Sequence, residues 1–137
     1  MATNNNNKEY IKYHVRVYKN KTEWYLNGNL HREDGPAIEH ANGSKAWYLN
    51  GNLHREDGPA IEWADGHKAW YLNGNLHRED GPAIEDVDGT KSWWLNGIEY
   101  TEIEWKKEIK KLNLKKNSCD GRIVEIDGKK YKLIEEK

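Results

Sequence analysis

The sequence predicts a mainly β protein: a single-layer antiparallel stack of 23-residue β-hairpin repeats, capped by a C-terminal amphipathic helix and a final hairpin. Three observations carry this prediction. Trp24, Trp47, Trp70 and Trp93 recur at a constant spacing, and residues 24–46 match residues 47–69 at 20 of 23 positions. A fixed period of this length signals stacked supersecondary units rather than one globular core. Within each unit, short strand-like segments alternate with Asn-Gly, Asp-Gly and Asp-Gly-Pro breaks. After Trp93 the repeat lapses, and Thr101-Glu102-Ile103-Glu104 has the form of a capping box opening a helix.

Composition agrees with this reading. The 137 residues are 36% hydrophobic and 33% charged, too polar for a membrane protein, and seven Trp and eight Tyr with no Phe suit thin, half-exposed sheets. By segment the formal charge is +3 over residues 1–23, −6 over residues 24–92 and +2 over residues 93–137. An acidic repeat body disfavours nucleic acid as a partner, because phosphate contact needs an excess of Lys and Arg. A single cysteine, Cys119, permits no internal disulfide and fits a reducing, cytoplasmic setting. No apolar run is long enough for a membrane span.

In order along the chain, residues 1–9 read as a disordered, Asn-rich lead-in, and residues 10–100 as the repeat domain. Residues 10–22 are a worn half-unit: shifted by 23, Val15 falls under Ile38, so a Lys19-Asn20 turn joins the first hairpin. In the next unit residues 36–41 form a strand, Asn42-Gly43 a two-residue type I′ turn, and residues 44–49 the return strand. That register sets Ile38 opposite Trp47 and Ala37 opposite Tyr48. It gives a core face of Ile38, Trp47 and Leu49, and a second face of Ala37, Glu39, Ala46 and Tyr48. Residues 101–137 read as a C-terminal cap. A helix over residues 101–112 carries Trp105, Ile109 and Leu112 as one apolar stripe, and a last hairpin turns at Asp127-Gly128.

Candidate binding residues follow from the repetition. Tyr25, Tyr48 and Tyr71, with Glu39, Glu62 and Glu85, would line a shallow trough on the second face; the alternative is that each Tyr simply covers the Ala beside it. His-Arg-Glu-Asp occurs at residues 31–34, 54–57 and 77–80, always before Gly-Pro-Ala. It reads either as a ladder between repeats or as a surface where Arg32, Arg55 and Arg78 meet an anionic ligand or partner. In the ladder, Asp bonds turn amides, Arg pairs with the adjacent copy's carboxylates and His donates to a carbonyl. No metal or other cofactor is expected, because equivalent His residues two strands apart lie roughly 10 Å from each other. No enzyme is expected either, since an active site needs one asymmetric set of groups rather than one set shown three times. Trp63, where the other copies carry His40 and Asp86, is either a binding anchor or a ring packed beside Trp47 and Trp70.

Units of the form W-Y-x-N-G-x-x-H-R-x-D-G-P-A with an (N/D)-G turn resemble MORN-like repeats. The likeness is to the variant of bacterial antitoxin-like proteins and of many bacteriophage and giant-virus proteins, and it covers residues 10–100. The common consensus has Tyr-Gly and His-Gly pairs where this chain has Trp-Tyr and His-Arg, so lipid roles of some MORN proteins do not carry over. The resemblance implies binding of proteins or small ligands rather than catalysis. The expectation is therefore a non-enzymatic protein-interaction module, of the kind a phage uses as an accessory or counter-defence protein that occludes a host protein in the host cytoplasm. One alternative is an oligomer that sequesters a small anionic, nucleotide-like signal; a second is a small metalloprotein or enzyme using His-Arg-Glu-Asp. Open sheet edges leave room for a homodimer.

Overall fold

A computed structural model describes residues 10–117 and 123–132. The expected lead-in over residues 1–9, Cys119 and the outermost residues of the last hairpin lie outside the described residues. The chain divides into two compact units, with the boundary between Glu99 and Tyr100.

The first unit is built of short antiparallel strands: β1 (His14–Val17), β2 (Lys21–Leu26), β3 (Asn29–Leu30), β4 (Ile38–His40), β5 (Lys45–Ala46), β6 (Tyr48–Leu49) and β7 (Asn52–Leu53). The pattern repeats as β8 (Ile61–Glu62), β9 (Lys68–Ala69), β10 (Tyr71–Leu72), β11 (Asn75–Leu76) and β12 (Ile84–Glu85), then ends in β13 (Lys91–Leu95) and β14 (Ile98–Tyr100). Ten strands form one sheet in the order β1-β2-β4-β5-β8-β9-β12-β13-β14, with β3 on β2; β6-β7 and β10-β11 are separate hairpins. The protein is thus mainly β, a run of short hairpins with one C-terminal helix.

The small hairpins form a second ladder beside the sheet. Arg32 N–H donates to Tyr48 O at 3.1 Å and Gly51 N–H to Leu30 O at 2.9 Å, and the same pair of bonds recurs one and two copies later. Their turns carry the I′ geometry: Asn27, Asn50, Asn73 and Asn96 have φ near +50°, each followed by a Gly near +80°. Both central residues of a type I′ turn need positive φ, and Asn-Gly meets that need most readily.

At Asn42-Gly43 the structure corrects the expected register. Ile38 pairs with Ala46 and Glu39 with Lys45, not Ile38 with Trp47. His40 N–H donates to Ser44 O and Gly43 N–H to His40 O, so the loop holds three residues and only Gly43 has positive φ (+96°). A three-residue loop closed by a left-handed Gly is the next most favoured hairpin, and one residue of slip exchanges the two faces of a strand. The first hairpin keeps the two-residue register, with Val15 opposite Trp24, because Lys19-Asn20 has no glycine to form the longer loop.

The centre of the stack is made of alanine. Ala37, Ala60 and Ala83 are fully buried, and their carbonyls accept N–H bonds from Trp24, Trp47 and Trp70 at 2.7, 2.8 and 2.8 Å. Ala37 was expected on an open face; instead it is fully buried, with its carbonyl bonded to the neighbouring strand. The tryptophans that open the repeats are only half-buried. The layer is too thin to enclose an indole.

The second unit holds helix α1 (Glu102–Asn117) and the hairpin β15 (Ile123–Ile126) and β16 (Lys129–Lys132). The capping box forms in both directions: Thr101 N–H donates to Glu104 Oε2 at 3.1 Å and Glu104 N–H to Thr101 Oγ1 at 3.2 Å. The helix runs five residues beyond the expected residue 112, through Lys115 and Lys116, whose charges suit a helix C-terminus. Trp105 is buried, and Ile109 and Leu112 half-buried, so the apolar stripe is real but narrow.

Candidate binding grooves

Each His-Arg-Glu-Asp copy folds over the tryptophan that opens its own repeat. The Arg32, Arg55 and Arg78 guanidinium carbons lie 3.9, 3.8 and 3.8 Å from the centres of the Trp24, Trp47 and Trp70 rings. In the middle copy Arg55 Nε donates to Asp57 Oδ1 at 2.9 Å, and Nη1 donates to Pro59 O at 3.0 Å and Glu62 Oε1 at 3.2 Å. The outer copies repeat all three bonds. A guanidinium is both flat enough to stack and forked enough to bridge two carboxylates. The loop must press close to achieve this: a Cβ at Gly35, Gly58 or Gly81 would come within 3.1, 2.9 or 2.8 Å of the guanidinium carbon. Glycine at those sites answers to the arginine, not to a positive φ.

This arrangement changes two of the expected pairings. Each arginine finds its two acids within its own copy. Within the motif the side chain that reaches the next copy is histidine, and it accepts rather than donates: Asn50, Asn73 and Asn96 N–H groups donate to Nδ1 of His31, His54 and His77 at 2.9, 3.0 and 2.9 Å. Each ring therefore carries its hydrogen on Nε2, facing the glutamate two residues on; in His31 that separation is 3.5 Å. The donors are the left-handed turn asparagines of the following repeat, so the ladder is set by turn and histidine together.

Of the candidate residues, the structure brings Glu39, Glu62 and Glu85 to the arginines. It does not bring them to the tyrosines. Tyr25 instead donates to Glu23 at 2.5 Å, beside Lys21 at 2.6 Å, with Arg16 over its ring. The Lys21 and Tyr25 hydrogen bonds hold the Glu23 carboxyl below its usual range, although the residue is 7% exposed. Burial, with Tyr71 nearby, pushes the Tyr48 hydroxyl up. Trp63 packs beside neither Trp47 nor Trp70; it is 43% exposed at a hairpin tip, its edge against His67.

Between consecutive His-Arg-Glu-Asp loops lie two equivalent open grooves. One, of about 700 Å³, has a floor of Trp47 and Leu49 between the loop of Arg32 to Pro36 and that of His54 to Asp57. The other, of about 550 Å³, has the matching floor of Trp70 and Leu72. The first is lined by four carboxylates, Glu33, Asp34, Glu56 and Asp57, against two guanidiniums already bound to acids. Side chains of Asp34, Asp57, Glu33 and Glu56 are 78, 86, 59 and 84% exposed, so the rim presents negative charge to solvent.

Tyr13 was not anticipated as part of this geometry. At the start of the stack its ring meets Trp24 edge-on at 5.6 Å and stacks on His31 at 6.4 Å, and its hydroxyl accepts the Glu33 N–H at 3.3 Å. The sequence signal was present: a shift of 23 places Tyr13 on Pro36, a ring exchanged for a larger one.

Among the described residues no group of three or more His, Cys, Asp or Glu is placed to hold a metal ion, and no helix is long and apolar enough to cross a membrane. Searches against protein-family models, curated proteins and solved structures find no match to this chain.

Proposed function

We propose that the protein is a non-enzymatic interaction module whose binding surface is the pair of grooves between the His-Arg-Glu-Asp loops. The observation that supports this is their repetition: two like-shaped grooves, each with a Trp and Leu floor and an acidic rim. Repeated, shallow and open sites suit a partner that is itself extended, and they give little to catalysis, which needs one enclosed and asymmetric constellation. An anionic ligand meets four carboxylates and two guanidiniums that are already paired, so the charge favours a cationic surface on the partner. The MORN-like resemblance points the same way, toward binding.

The test compares two baits in an affinity capture from cell extract, the wild-type chain and the Glu33→Lys/Glu56→Lys variant, which reverses the exposed rim of the first groove. Proteins retained by the wild type and lost by a variant with an unchanged unfolding midpoint support the reading. An identical set on both baits overturns it.

A further inference from the structure

We propose that the two open grooves take tyrosine side chains from an extended, lysine-rich polypeptide, in the manner in which Tyr13 is already held at the first repeat. This rests on the grooves being the binding surface, and it adds what they bind.

Tyr13 is held by Trp24, His31 and the backbone N–H of Glu33. The residues 23 positions on, Trp47, His54 and Glu56, all line the first open groove, and those 46 positions on, Trp70, His77 and Glu79, all line the second. The chain thus contains a worked example of what its own groove walls accept: an aromatic ring against indole and imidazole, with a hydroxyl oxygen at a backbone amide. In the later copies Pro36 and Pro59 stand where the repeat shift places Tyr13, and they line the grooves rather than filling them.

Two further observations narrow the occupant. The carboxylate rim favours Lys or Arg beside the tyrosine. The spacing favours a chain over separate small molecules. Successive copies are offset by two strands of the sheet, about 9.6 Å at roughly 4.8 Å per strand. A polyproline II segment rises about 9.3 Å in three residues and returns to the same face. Tyrosines at i and i+3 would therefore reach both grooves at once.

Calorimetric titration of the full chain with the blocked peptide Lys-Tyr-Pro-Lys-Tyr-Pro-Lys tests this. The peptide is expected to bind about ten-fold or more tightly than N-acetyl-tyrosinamide, because the second tyrosine binds as a tethered group. Exchange of either tyrosine for alanine, or movement of the second by one residue, should remove that advantage; affinity indifferent to both overturns the proposal. A second measurement uses the occupied site. Tyr13→Ala should lower the unfolding midpoint, and p-cresol should restore part of it in a dose-dependent way while leaving the wild-type midpoint less affected. Absence of any rescue also overturns the proposal. Capture that depends on Glu33 and Glu56, together with no peptide binding, would leave the grooves as the interaction surface and remove tyrosine as their ligand.

Discussion

His31 Nδ1 accepts the N–H of Asn50 at 2.9 Å, a bond between residues 19 apart that joins the His-Arg-Glu-Asp loop of one repeat to the turn of the next. The His31 and His77 side chains are similarly enclosed, 7 and 11% exposed, but His31 also carries the Tyr13 ring stacked at 6.4 Å. Loss of either histidine takes the acceptor from its asparagine amide, and loss of His31 removes the ring contact as well. His31→Ala should therefore cost about 2 kcal/mol and His77→Ala about 1 kcal/mol, read from urea unfolding. Equal costs would show that the ring contact adds nothing to the tie.

Gly58 tests the arginine stack. An alanine methyl there would lie 2.9 Å from the Arg55 guanidinium carbon and displace it from Trp47. Gly58→Ala should cost about 1 kcal/mol, the order of a partly exposed cation–π contact. In an Arg55→Ala background the same substitution should cost almost nothing, because nothing remains to be displaced.

The two kinds of Asn-Gly turn should respond differently. Asn50 has φ +51°, a region that costs an ordinary side chain about 1 kcal/mol or more. Asn42 does not share it; its Oδ1 accepts the Ser44 N–H at 2.9 Å in an exposed loop. Asn50→Ala should destabilise more than Asn42→Ala, and Asn50→Gly should be nearly neutral. Thermal unfolding of the three variants checks the order.

His67 introduces a pH dependence. Its Nδ1 lies 2.7 Å from Asp65 Oδ2 and its Nε2 3.3 Å from Asp86 Oδ1, with Asp88 nearby and the Trp63 ring at its edge. The Asp65 hydrogen bond, reinforced by the surrounding acids, raises the histidine above its ordinary value, and His67 holds Asp65 below its own. A raised histidine contributes stability that is complete below its unfolded value and lost as pH rises through the folded one. A lowered aspartate contributes stability that is present above its unfolded value and lost as pH falls through the folded one. The wild type should exceed Asp65→Asn most clearly between the ordinary aspartate and histidine ranges, about pH 4 to 6.5, with the gap closing above the His67 titration followed by NMR. A gap that widens above that titration would contradict the assignment.

The period, the strand class and the capping box were legible because each rests on local residues: tryptophan at a constant spacing, Asn-Gly in the turns, Thr101 with Glu104. The internal register was not, because Asn42-Gly43 is compatible with both a two-residue and a three-residue loop, and the choice moves Ala37 from the surface to the centre. The arginines were recognised but given the wrong partners. Only the fold brings Glu62 over Arg55 and leaves Tyr48 away from both grooves. The copies differ at His40, Trp63 and Asp86 and again at Ser44, His67 and Thr90, and the structure gives that variation a use. Ser44 Oγ accepts the Ala64 N–H and His67 reaches Asp86, so changed residues tie neighbouring hairpin tips together.

The arginine stack of each copy closes on itself, while the histidine bond reaches only the copy that follows. Removal of residues 47–69 as a block would bring Asn73 to His31 in place of Asn50 and leave every arginine with its own tryptophan. Insertion of another such block would do the reverse. The number of grooves is therefore an inheritable integer, free to change by recombination between near-identical segments without any redesign of the joints. A lineage could lengthen or shorten its reach along an extended partner in steps of three partner residues, much as a ruler is cut at its marks.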